Sequence, residues 1–157
     1  MWASGFALGC RNSAVAIDEA RLATIRTNAD LVVRELAELN GGDFGLDAGS
    51  VAWLEGFIER QRSSDTADVS QGLVNVLGCY LGEAIIAAVL GAEWSEDAAG
   101  ALGVLFPTGD MAFPFNKVEK QLSEGLENGE SILSFYNTSV NDVAAGKLGQ
   151  AAREETP

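Results

Sequence analysis

The chain of 157 residues is 47% hydrophobic, carries a formal net charge of −13 and contains no histidine. Its length and apolar content suit one globular domain and exclude a disordered chain. The missing histidine removes every Ser-His and Cys-His arrangement and the commonest metal ligand, while the excess of carboxylates disfavours nucleic acid and anionic membranes as partners.

The chain opens with MWASGFALGC. The last four of these residues have the outline of a lipoprotein cleavage site, but no basic segment precedes them and the apolar run is short. Residues 1–14 are therefore expected to form a poorly ordered N-terminus. Residues 15–137 are expected to form a single domain. Residues 138–157, rich in Gly and Ala, read as a flexible tail.

Leu22, Ile25, Ala29, Val32, Leu36 and Leu39 keep helical spacing and predict a first helix over 15–39, ended by Asn40-Gly41-Gly42. Asp47 is an N-cap residue for a second helix, with Val51, Leu54 and Ile58 as its inward stripe and Trp53 and Phe57 beside it. A third helix runs to Leu90, with Asp68 and Gln71 at capping-box spacing and Gly91 closing it. Its stretch 73–90 has the length of a membrane span but holds Glu83 near the middle. A carboxylate there costs about 2.5–3.5 kcal/mol on insertion scales, so a buried core helix is the expected reading. Gly78 and Gly82 lie four apart on one face and leave room for another backbone.

Beyond Gly91 the period falls to two. Residues 92–95, 101–106 and 111–115 predict strands, the last two joined by the turn Pro107-Thr108-Gly109-Asp110. Pro114 or Asn116 opens a short helix with Phe115, Val118 and Leu122 as its apolar positions, and Gly125 ends it. Another short helix is expected over 131–136. The fold class is α+β: N-terminal helices including one long buried helix, a small antiparallel sheet of two to four strands, and short C-terminal helices.

Charge is unevenly spread. Residues 63–116 hold no Lys or Arg and seven acids: Asp65, Asp68, Glu83, Glu93, Glu96, Asp97 and Asp110. A basic partner would be steered towards this segment. Glu93, Trp94, Glu96, Asp97 and Asp110 are its candidate contact residues, with Trp94 serving either as core or as an anchor. The Asp-x-Asp-x-Asp-Gly spacing of a calcium loop is absent, and two cysteines, Cys10 and Cys79, fall short of a structural zinc site. No metal and no cofactor is expected. Cys79 sits in the apolar helix and reads as a small buried hydrophobe.

Glu83 stands apart. A carboxylate in a buried helix must be paired, hydrogen-bonded or neutral. It is either structural, meeting Lys117 or a backbone donor, or a general acid or base assisted by Lys117 or Tyr80.

The run Leu81-Gly82-Glu83, then Gly91, Trp94, Phe113-Pro114-Phe115 and Lys117-Val118-Glu119-Lys120 resembles a bacterial family of domains of unknown function, over roughly residues 47–136. The resemblance singles out Glu83, Trp94, Pro114 and Lys117 and implies no catalytic role. By analogy with small acidic α+β immunity proteins it implies an inhibitor of a cognate toxin.

The leading expectation is a cytoplasmic, non-enzymatic interaction or regulatory domain that binds another protein, a basic one in the immunity-type version. A small enzyme using Glu83 and a structural homo-oligomer are the alternatives.

Overall fold

The computed structural model describes residues 5–7, 15–62 and 70–143. In chain order the elements are β1 (Phe6–Ala7), β2 (Val15–Ala16), α1 (Glu19–Leu39), α2 (Ala48–Arg62), α3 (Gln71–Ala88), β3 (Glu93–Glu96), β4 (Leu102–Leu105), β5 (Met111–Ala112), α4 (Pro114–Ser123) and α5 (Ile132–Thr138). A 3-10 turn at Leu126–Asn128 precedes α5, and a π-helical turn at Ser139–Val143 follows it. The class is α+β, with a long core helix and short C-terminal helices as expected.

The sheet is antiparallel and has five strands in the order β1-β5-β4-β3-β2, not two to four. The additional strands come from the N-terminal segment. Phe6–Ala7 pairs with Met111–Ala112, and Val15–Ala16 pairs with Ser95–Glu96. Part of the stretch expected to be poorly ordered is thus sheet; residues 1–4 and 8–14 lie outside the described residues. The expected tail likewise begins helical, with Ser139 and Val143 buried, and residues 144–157 lie outside the described residues.

Helix α1 starts four residues later than its apolar spacing suggests. Val15 is spent on β2, and Asp18, in extended conformation, accepts a hydrogen bond from Arg21 N at 2.7 Å. That bond satisfies one of the orphan N–H groups of the first turn. Ile25, Ala29, Val32 and Leu36 are buried, whereas Leu39 faces solvent. Asp47 caps α2 through Ser50 N at 2.8 Å, and the predicted stripe of Val51, Leu54 and Ile58 is fully buried. In α3 the cap is Ser70, which accepts from Leu73 N at 3.3 Å; Asp68, expected in that role, lies outside the described residues. Strand β5 stops at Ala112 because Pro114, which lacks an N–H, starts α4. Phe113 and Phe115 therefore do not share a strand face.

α3 packs against α1 and α4 and reaches β4, so it runs through the centre of the molecule. Among the described residues it is the one helix long and apolar enough to cross a membrane, and half of it is buried inside this structure. Trp94, Val104 and Ala112 are in register across β3, β4 and β5 and join the main core. Leu105, Met111 and Phe113 form a second, small cluster. Gly78 and Gly82 admit aromatic rings, not a backbone: Phe115 lies over Gly78 and Trp94 over Gly82. Cys79 is a free, buried thiol, and Cys10 lies outside the described residues.

Candidate functional site

Glu83 projects from α3 beside β3. Its Oε2 accepts a hydrogen bond from the Trp94 indole Nε1 at 2.8 Å. Its Oε1 stands 3.9 Å from Arg26 Nε, at the outer limit of an ion pair. The Glu83 side chain is 16% exposed and that of Arg26 61%. Lys117 is not its partner. The Lys117 ammonium instead meets Glu130 Oε1 at 2.8 Å, with side-chain exposures of 8% and 15%. The reason is topological: Lys117 lies on α4, which turns towards the segment before α5, while Glu83 faces β3 and α1.

Trp94 is buried, with its ring over Gly82 and 5.8 Å from the ring of Phe115. It is a core residue whose polar edge reaches Glu83, a common use of tryptophan. A pocket of about 210 Å³ opens beside the Glu83–Trp94 pair. Ile17, Leu22 and Ile86 give it apolar walls, and Glu83, Glu93 and Arg26 supply its charge. A second concavity of about 280 Å³ includes Arg21, Asn75, Phe113, Phe115 and Asn116. Both fall below the roughly 300–1,000 Å³ of small-molecule clefts.

The remaining acids expected to meet a partner are mostly engaged. Glu96 pairs with Arg21 at 3.2 Å. Asp97 accepts from Ala99 N at 2.9 Å and Ala101 N at 2.8 Å, and so shapes the β3–β4 loop. Asp110 is buried in the β4–β5 turn, where its carboxylate accepts from the Thr108 hydroxyl at 2.8 Å. Only Glu93 of the five candidates is exposed. Asp65 and Asp68 lie outside the described residues.

Exposed acid lies elsewhere. Asp30, Glu35, Glu38, Asp43 and Asp47, on the second half of α1 and the turn into α2, are all exposed and have Arg34 as the one base among them. No ion pair reaches these five carboxylates among the described residues. Leu31, Leu39 and Leu46 are exposed in the same stretch. Leu31, Glu35, Glu38 and Leu39 share one helix face by their spacing. Sequence reasoning placed the acidic surface further on, because composition counts carboxylates but not the direction each one faces.

The Tyr80 hydroxyl is also committed away from Glu83. Its hydroxyl donates to Gly45 O at 2.6 Å, its ring lies 5.3 Å from Phe44, and burial raises its pKa above the ordinary phenol value. Burial likewise raises the Cys79 thiol, despite a weak contact from Asn28 Nδ2 at 3.8 Å.

Sequence reasoning also missed a polar clasp between α2 and the C-terminal helices. Glu59 Oε2 accepts from Gln121 Nε2 at 3.0 Å and from Leu126 N at 3.2 Å. Gln121, fully buried, accepts from Ile132 N at 2.7 Å, and Glu55 accepts from Leu133 N at 3.3 Å and from the Ser131 hydroxyl. These acceptors satisfy the first N–H groups of α5. No sequence motif marks its α2 contacts, which join residues more than sixty apart. Among the described residues, no group of three Cys, Asp or Glu is placed to hold a metal ion.

No family model, curated protein or solved structure matches the chain. The resemblance to a bacterial domain family therefore rests on its motifs alone.

Proposed function

We propose that this domain is a non-enzymatic interaction module that binds a basic protein partner, in the manner of an immunity-type inhibitor. One observation carries the reading: five exposed carboxylates on α1 and the α1–α2 turn, with no ion pair among the described residues, interleaved with exposed Leu31, Leu39 and Leu46. A surface of that kind attracts cations over distance and offers apolar contact once they arrive. A cytoplasmic place for the module goes with its free Cys79 thiol, which a reducing compartment preserves.

The test is binding of a fluorescent lysine-rich peptide, followed by anisotropy across a salt series. Affinity falls as salt rises and is lost in the double variant Glu35→Lys, Glu38→Lys. Binding that ignores both salt and charge reversal would sink the proposal.

The competing reading, a small enzyme using Glu83 as acid or base, draws on the pocket beside that carboxylate. Its helpers are dispersed, however: Lys117 is committed to Glu130 and Tyr80 to Gly45.

A further inference from the structure

The pocket beside Glu83 has the chemistry of a socket for one cationic side chain. We propose that it receives a lysine or arginine side chain of the basic partner, whose charge replaces Arg26 at Glu83 Oε1. This rests on the proposed function and adds a defined seat to it.

Size comes first. A volume of about 210 Å³ suits an amino-acid side chain better than a cofactor or a drug-sized ligand. The walls come next. Lysine and arginine carry an aliphatic stem under a charged head and bury the stem along apolar surface. Ile17, Leu22 and Ile86 offer that surface, while Glu83 and Glu93 offer charge for the head.

The decisive feature is the unequal treatment of the two Glu83 oxygens. Oε2 is held at 2.8 Å by the Trp94 indole, whose ring is locked over Gly82. The carboxylate is thus fixed in orientation. Oε1 has only Arg26 near it among the described residues, at 3.9 Å and from a side chain that is 61% exposed. An ion pair so long and so solvated contributes little. Arg26 is a loose internal counter-ion that an incoming cation can displace, and its freed head group remains in water. Among the described residues the pocket lining holds two carboxylates against one arginine, so it keeps its attraction for a cation.

The experiment follows the Trp94 indole N–H resonance, assigned by its loss in Trp94→Phe, in the full chain. The probes are Nα-acetyl-arginine methylamide and Nα-acetyl-lysine methylamide, with Nα-acetyl-norleucine methylamide as the uncharged control. The cationic probes shift the resonance saturably and the control does not. Glu83→Gln weakens the response about tenfold or more, and Arg26→Ala strengthens it by removing the competitor. Arg26 is exposed, so that variant tests the proposal even where Glu83→Gln fails to fold. No cation-dependent shift at Trp94, or weaker binding in Arg26→Ala, overturns the proposal. Salt-sensitive binding of the lysine-rich peptide that survives such a result would show that the socket alone is wrong. Loss of peptide binding together with a cation response at Trp94 would instead remove the α1 face.

Discussion

The Trp94 ring occupies the space that a side chain on Gly82 would fill. A Cβ at position 82 would fall well inside contact distance of the indole. Gly82→Ala therefore either displaces the indole from Glu83 or pushes β3 off α3. Overpacking costs about 1–3 kcal/mol, which exceeds the roughly 0.5–1 kcal/mol that alanine gains over glycine in a helix. Chemical denaturation should show a net loss. Gly56→Ala in α2 is the contrast: its nearest neighbour is the mobile end of Arg60 at 3.3 Å. That variant should gain about 0.5–1 kcal/mol.

The Lys117–Glu130 pair is largely withdrawn from water. Removing one partner of a buried pair leaves a charge uncompensated, at about 3–5 kcal/mol. Lys117→Met should lose stability on that scale in urea. The double variant Lys117→Met, Glu130→Leu should recover most of it, because an apolar pair of similar volume can replace a buried ion pair. Failure of the double variant to recover would locate the loss in Lys117's other contacts.

Gln121 joins α4 to both α2 and α5. Gln121→Leu keeps the volume but leaves Ile132 N without its acceptor, while Glu59 Oε2 loses one of two donors and keeps Leu126 N. An orphaned buried polar group costs about 1–3 kcal/mol. Hydrogen exchange should show the loss first as faster exchange at Ile132 and along α5.

Alkaline pH should unfold the domain. Burial raises the phenols of Tyr80 and Tyr136 and the thiol of Cys79. An unfolded tyrosine titrates near 10. Between that value and the folded one, the unfolded chain has released a proton that the folded chain retains, so stability falls as pH rises. The contribution is fully present below about pH 8. Tyr80→Phe should flatten the alkaline limb of a stability–pH curve, and should cost roughly 1 kcal/mol at neutral pH through the lost bond to Gly45.

Local signals were readable where neighbours in sequence are neighbours in space. The stripe Val51, Leu54, Ile58 and the turn at Pro107–Asp110 both appear where spacing and turn chemistry put them. Long-range pairings were not readable. Glu83 announced that it needs a partner, and spacing could not say that Trp94 and Arg26 provide it. Gln121 carries no periodic signal, since a polar residue on a helix usually reads as solvent-facing. The acidic segment was legible as composition, yet Asp110, Asp97 and Glu96 turn their carboxylates to a threonine, a loop backbone and an arginine.

The strand order places β1 and β2 on opposite edges of the sheet, although both come from the first sixteen residues. Each must wait for a partner about eighty to a hundred residues away, Val15 for Glu96 and Ala7 for Met111. Such distant pairings form late in folding. Until they form, the β3–β4–β5 hairpins stand with both flanks open, and open flanks are templates for aggregation. Proteolytic trimming of a short N-terminal stretch would remove both two-residue edge strands at once and leave β3 and β5 open together.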